Sequence, residues 1–70
     1  MDEYKKIYAD VWNFHKKYCE VKATDEYWEQ AIDEGDRICR RYGNGRFVRD
    51  LVLSVLNEFE RIYKKGDGII

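Results

Sequence analysis

His15 and Cys19 stand four residues apart in a stretch of helical periodicity, a spacing that puts an imidazole and a thiol on one face of a helix. Two chemistries go with that arrangement. The pair could supply two ligands of a metal site, or a nucleophile beside its base. A third ligand would have to be Cys39. The helix order expected below keeps it away: Cys19 falls near the first turn region and Cys39 toward the far end of the second helix. That offset of about 12 residues at 1.5 Å rise is ~17 Å along the axis, whereas a disulfide needs Cα atoms within about 7 Å. A Cys19–Cys39 bridge and a metal cluster are both rejected on this ground. Both cysteines are expected to be ordinary buried residues, and His15 a hydrogen bonder at the edge of the core. His15 and Cys19 lie on the apolar stripe, out of reach of a substrate. No residue is assigned a catalytic, cofactor-binding or metal-binding role, and the chain is read as non-enzymatic.

A second constellation is basic. Arg37, Arg40, Arg41, Arg46 and Arg49 fall within thirteen residues, with Tyr42 and Phe47 among them. Guanidinium groups that grip phosphate beside aromatic rings that stack on bases would make a nucleic-acid patch. A plainer account is available for most of them. Arg37 and Arg40 each have a carboxylate one turn earlier, at Asp33 and Asp36, and Arg40 and Arg41 suit the negative end of a helix dipole. The join Gly43-Asn44-Gly45 links two long helices, not the short pair of a helix-turn-helix. Acidic residues crowd the other half of the second helix, at Asp25, Glu26, Glu29, Asp33, Glu34 and Asp36, so it is polar lengthwise. Such a helix also suits an antiparallel copy of itself.

The whole-chain balance favours neither nucleic acid nor membrane. The chain has 70 residues, with 13 Lys and Arg against 14 Asp and Glu, for a formal charge of −1. Any attraction for a polyanion must therefore come from a local patch. Apolar residues make up 44% and aromatics 16%, too rich for a disordered chain. The start, Met1-Asp2-Glu3-Tyr4, lacks the basic and apolar stretches of a signal peptide. The longest apolar run, Leu51 to Leu56, is broken by Ser54 and is far short of the roughly 20 residues that span a bilayer. A cytoplasmic protein with no membrane contact is expected, and the low cysteine count agrees.

The elements that must position these residues are three helices. There is no proline, and the glycines stand at 35, 43, 45, 66 and 68. The first helix is expected over about residues 2–20, on the stripe Tyr4, Ile7, Tyr8, Val11, Trp12, His15, Tyr18 and Cys19. The second runs over about 25–42, capped by Thr24, on Tyr27, Trp28, Ala31, Ile32, Gly35, Ile38, Cys39 and Tyr42, and is stopped by Gly43. The third spans about 46–65, capped by Asn44, on Phe47, Val48, Leu51, Val52, Val55, Phe59, Ile62 and Tyr63. Connections of about three residues force antiparallel neighbours. The fold is thus an all-α, up-down-up three-helix bundle, with one domain over 1–66 and a tail at 67–70.

That order places Trp12 level with Gly35, Trp28 near Phe59 and Tyr18, and Tyr4, Tyr42 and Phe47 at the opposite end. The apolar arc of the third helix is too wide for its place in such a bundle, because Leu53 lies outside the core stripe. Val52, Leu53, Leu56 and Tyr63 are the candidate self-association residues. A domain this small commonly gains from a partner subunit, and a two-fold contact would bury Leu53 against its mate.

The stretch Asp10-Val11-Trp12-Asn13-Phe14-His15-Lys16-Lys17-Tyr18, with Tyr27-Trp28 and Asn57-Glu58-Phe59-Glu60-Arg61, resembles short uncharacterised helical proteins of Gram-positive gut bacteria and of their phages and mobile elements. The resemblance implies a cytoplasmic accessory protein and carries over no functional residue. The expected function is a small, non-catalytic helical interaction protein that pairs with itself or another helical protein. The alternative is a nucleic-acid-associated accessory that uses the arginine cluster.

Overall fold

The computed structural model of the chain describes residues 2–64; the expected tail at 67–70 lies outside them. Three helices form: α1 (Asp2–Tyr18), α2 (Asp25–Arg41) and α3 (Arg46–Lys64). All three pack on one another, with no strand among the described residues.

The ends of the helices have identifiable chemistry. Thr24 is extended, and its hydroxyl accepts from the Tyr27 backbone N–H, which caps α2. At the other end, Asn44 N–H donates to the Cys39 carbonyl and Gly43 N–H to that of Arg40. Gly43 takes φ of +71° to allow this Schellman closure. Asn44 is itself left-handed, with φ of 58°. It therefore closes α2 and does not cap α3 as the sequence suggests. The Gly45 carbonyl accepts the first bond of α3, from Arg49. α1 ends two residues earlier than expected. The Tyr27 hydroxyl donates to the Tyr18 carbonyl at 2.6 Å, taking up an end group of the helix. The first connection, residues 19–24, is correspondingly longer than expected, and Val21 packs on the core.

Cross-helix contacts establish the direction of each rod. Tyr18 lies by Tyr27, while Asp10 lies by Arg41 and Tyr42, so α1 and α2 are antiparallel. Trp28 meets Tyr63 at one end and Gly35 meets Val52, so α2 and α3 are antiparallel. Tyr4 and Tyr8 pack edge-on against Phe47, and Phe14 against Phe59, so α1 and α3 run parallel. The order is up-down-up.

The core joins Ile7, Val11, Phe14 and Tyr18 of α1 to Tyr27, Ala31, Ile38 and Cys39 of α2 and Val48, Val52, Val55 and Phe59 of α3. α1 therefore buries part of the expected stripe, Ile7, Val11 and Tyr18, and adds Phe14 to it. Phe14, outside the expected stripe, is 1% exposed, and Trp12 is 58% exposed. The reason lies in the spacing. Ile7, Val11, Phe14 and Tyr18 recur every three or four residues along one line that reaches both neighbours. Tyr4, Tyr8 and Trp12 form a parallel line beside it. The gap left by Gly35 is accordingly filled by others: a Cβ there would stand 2.8 Å from Val52 Cγ1 and 3.5 Å from the tip of Phe14. Trp12 instead carries the Lys16 ammonium over its ring at 5.4 Å and meets His15 edge-on.

Candidate functional site

Three seams run along the outside of the bundle, one between each pair of helices, and they differ in chemistry. The α1/α2 seam is polar and closed. Lys17 donates to Glu34 at 2.9 Å and the Tyr18 hydroxyl to the same carboxylate oxygen at 3.0 Å. Further along, Arg41 and the Tyr42 hydroxyl both donate to Asp10 Oδ2, at 2.9 and 2.5 Å. Each carboxylate thus holds two donors. The proton-binding groups respond in the same direction. The bond to Glu34 pushes the Lys17 ammonium up, and the bond to Asp10 does the same for Arg41 and for the Tyr42 phenol. Burial, followed by the bond to Glu34, raises Tyr18.

The α1/α3 seam is aromatic. Tyr4 and Tyr8 stand half-exposed with their edges on Phe47, and Trp12 continues the line. Of the three residues expected to close this end, Tyr4 and Phe47 meet on the surface here, whereas Tyr42 bonds Asp10 on the α1/α2 side.

The α2/α3 seam is aliphatic and open. Its walls are Ile32 of α2, 55% exposed, and Leu53 of α3, 52% exposed. Gly35, Val52 and Leu56 lie between them, with Cys39, Asp36 and Arg49 toward the α2 C-terminus. No ion pair joins α2 to α3 among the described residues. The absent side chain at Gly35 lets α3 approach α2 closely, which leaves the flanking Ile32 and Leu53 on the outer lips of the groove.

Of the four candidate self-association residues, Leu53 is exposed on the groove's lip. Leu56 is half-buried and packs on the core from the groove floor. Val52 is 3% exposed and belongs to the core. It follows Leu51 and precedes Leu53 at about 100° steps on the helix, so it cannot share Leu53's outward direction. Tyr63 stands half-exposed at the acidic end, its ring on Trp28 at 5.8 Å. Trp28 in turn meets Tyr27, which packs on Tyr18. Ile32 is the residue the sequence reading missed. The expected stripe takes it into the core with Ala31, yet two adjacent helical residues point about 100° apart, and Ala31 is the one fully buried.

The other constellations disperse. α1 stops at Tyr18, so Cys19 lies outside the helix and is exposed, contrary to the expectation that both cysteines are buried. The i,i+4 relation with His15 is therefore not a helical one. His15 packs its ring edge-on against Phe59 at 5.4 Å. Cys39 is buried; burial pushes its thiol up, aided by Asp36 and opposed by Arg49. Both thiols are free. No group of three or more metal-ligating side chains converges among the described residues. Among the arginines, Arg37 pairs with Asp33, Arg40 with Asp36 and Arg41 with Asp10. Arg37 and Arg41 border the α1/α2 side, whereas Arg49 borders the α2/α3 groove. Arg46 and Arg49 make no ion pair among the described residues. The five thus share a region of sequence but not a face. No described helix is long and apolar enough to cross a membrane.

Comparison with protein-family models, with curated proteins and with solved structures finds no match to the chain.

Proposed function

We propose that this protein is a small, non-catalytic helical interaction module whose contact surface is the α2/α3 seam. One observation carries the reading: Ile32 and Leu53, both more than half exposed, flank a groove with no polar closure across it. Isolated exposed aliphatics are ordinary, but two facing each other over a shared apolar floor form a patch suited to a partner. A domain of this length has little core to spare, and covering the seam adds to it. The partner is helical, because a straight groove between two rods accepts ridges of side chains from a third.

Sedimentation equilibrium from about 1 to 500 μM tests this for self-pairing, the simplest form of the reading. The expected result is a dimer that Ile32→Glu with Leu53→Glu converts to a monomer. Both sites are exposed, so helical content by circular dichroism should be retained. A wild-type chain that stays monomeric throughout, or a dimer unmoved by the double substitution, removes the seam as a self-association surface.

A further inference from the structure

We propose that the seam pairs with a second copy of this chain in one antiparallel register, with Leu53 on the two-fold axis and Arg46 of each copy opposite Glu60 of the other. The proposal rests on the interaction reading above and deepens it by naming the partner and the register.

Two observations carry it. The first is an anomaly in α3. α1 and α2 open with acidic residues, Asp2 and Glu3 in one and Asp25 and Glu26 in the other, as the positive end of a helix dipole favours. α3 has no acidic residue in its first turn and opens with Arg46, followed by Arg49. Glu60 lies near the opposite end, just ahead of a last turn that carries Arg61 and Lys64. Local helix electrostatics would place an acidic residue, not Arg46, in that first turn. None of Arg46, Arg49 and Glu60 forms an ion pair among the described residues. A first turn set against its own helix, and exposed charges without an ion pair among the described residues, point to a counterpart outside the fold.

The second observation is symmetry of spacing. Arg46 and Glu60 each lie seven residues from Leu53, one before and one after. Seven residues are close to two full turns, so all three project to about the same side, the side that forms one lip of the groove. When two such helices cross antiparallel at Leu53, each Arg46 stands opposite the mate's Glu60, about 10 Å from the crossing point along the axis. A crossing angle near 20° leaves them within reach of these long side chains. The apolar residues lie at the centre and the charges at the rim, as in a protein–protein interface. A parallel arrangement would set Arg46 on Arg46 and Glu60 on Glu60. The charges thus select one orientation against the other.

A charge-swap cycle on the full chain, read by sedimentation equilibrium at about 50 mM salt, tests the register. Arg46→Glu and Glu60→Arg should each weaken dimerisation about tenfold or more. The two together, R46E with E60R, should return the dissociation constant to within about threefold of wild type. Both positions are exposed, so helical content by circular dichroism should be retained, which separates a lost dimer from a lost fold. In a Cys19→Ser background, Leu53→Cys should oxidise to a covalent dimer, because the axis brings the two positions within disulfide reach. Single reversals without effect, or a swap that fails to restore pairing, overturn the register. If Ile32→Glu with Leu53→Glu still abolishes the dimer in that case, the seam stands and only the orientation is lost. If that double substitution also changes nothing, the seam reading falls as well.

Discussion

The two sides of α2 solve the same packing problem differently. Toward α1, two carboxylates, Glu34 and Asp10, each take two donors from the neighbouring helix and draw the seam shut. Toward α3, a glycine and a valine meet at close range, and the flanking Ile32 and Leu53 are left facing outward. The ion-paired seam has its polar groups satisfied within the chain and offers a partner little. The aliphatic seam leaves apolar area on its lips beside Arg49, and another surface can cover that area. A small bundle can thus keep one face for itself and one for a neighbour without any change in backbone architecture.

The comparison can be broken most forcefully at the layer both seams share. Phe14 sits between α2 and α3, and Phe14→Ala should cost about 3–5 kcal/mol, comparable to the whole stability expected of so small a domain. Loss of the cooperative thermal transition is the expected readout. Trp12→Ala, two residues away, should cost under about 1 kcal/mol in the same experiment, because its ring is mostly in solvent. Equal losses at the two positions would mean the arc of α1 is wrongly placed.

Gly35→Ala probes the closeness of the aliphatic seam. Alanine favours a helix by about 1 kcal/mol over glycine, but here its Cβ would meet the stiff, buried Val52 side chain at 2.8 Å. Overpacking should win, for a net destabilisation of about 1–2 kcal/mol. Pairing it with Val52→Ala should give a loss smaller than the sum of the two. A stabilised Gly35→Ala chain would show that the helices are not in close contact there.

Alkaline titration separates the seams by their protons. Burial raises Cys39 above its ordinary 9.0 and Tyr18 and Tyr27 above 10.0, and the bond to Glu34 raises Lys17 above 10.5. Each group holds its proton more tightly when folded. Their contribution is therefore complete below the unfolded values and is lost as pH rises through the folded ones. The urea midpoint should fall between pH 9 and 11. Tyr18→Phe, which removes a titrating group of the polar seam, should flatten the fall, and Ile32→Glu should not. A midpoint that holds or rises over this range contradicts the packing of these residues.

The smallest effect is expected from the ion pairs themselves. Glu34→Gln weakens the contacts to Lys17 and Tyr18 at a partly exposed site, where such pairs contribute about 1 kcal/mol or less. The difference from wild type should shrink further in about 1 M salt. A loss of several kcal/mol would show that the polar seam, rather than the core, holds α1 in place.

Several features were legible from the residues alone. Three helices, their approximate bounds, the Thr24 cap, the Gly43 stop and the Asp33–Arg37 and Asp36–Arg40 pairs depend on neighbours within a turn or two, and local chemistry suffices for those. Leu53 was recognisable as an outlier from its own helix. What local chemistry does not determine is how far each rod is rotated about its axis. α1 carries two apolar lines side by side, and choosing Ile7-Val11-Phe14-Tyr18 over Tyr4-Tyr8-Trp12 required the positions of Gly35 and Phe59 on the other helices. The corresponding rotation of α2 turned Ile32 outward, and the packing of the helices distributed the five arginines over different faces. It depends on which side chains interlock across three rods at once, and that is a property of the packed bundle rather than of any one segment.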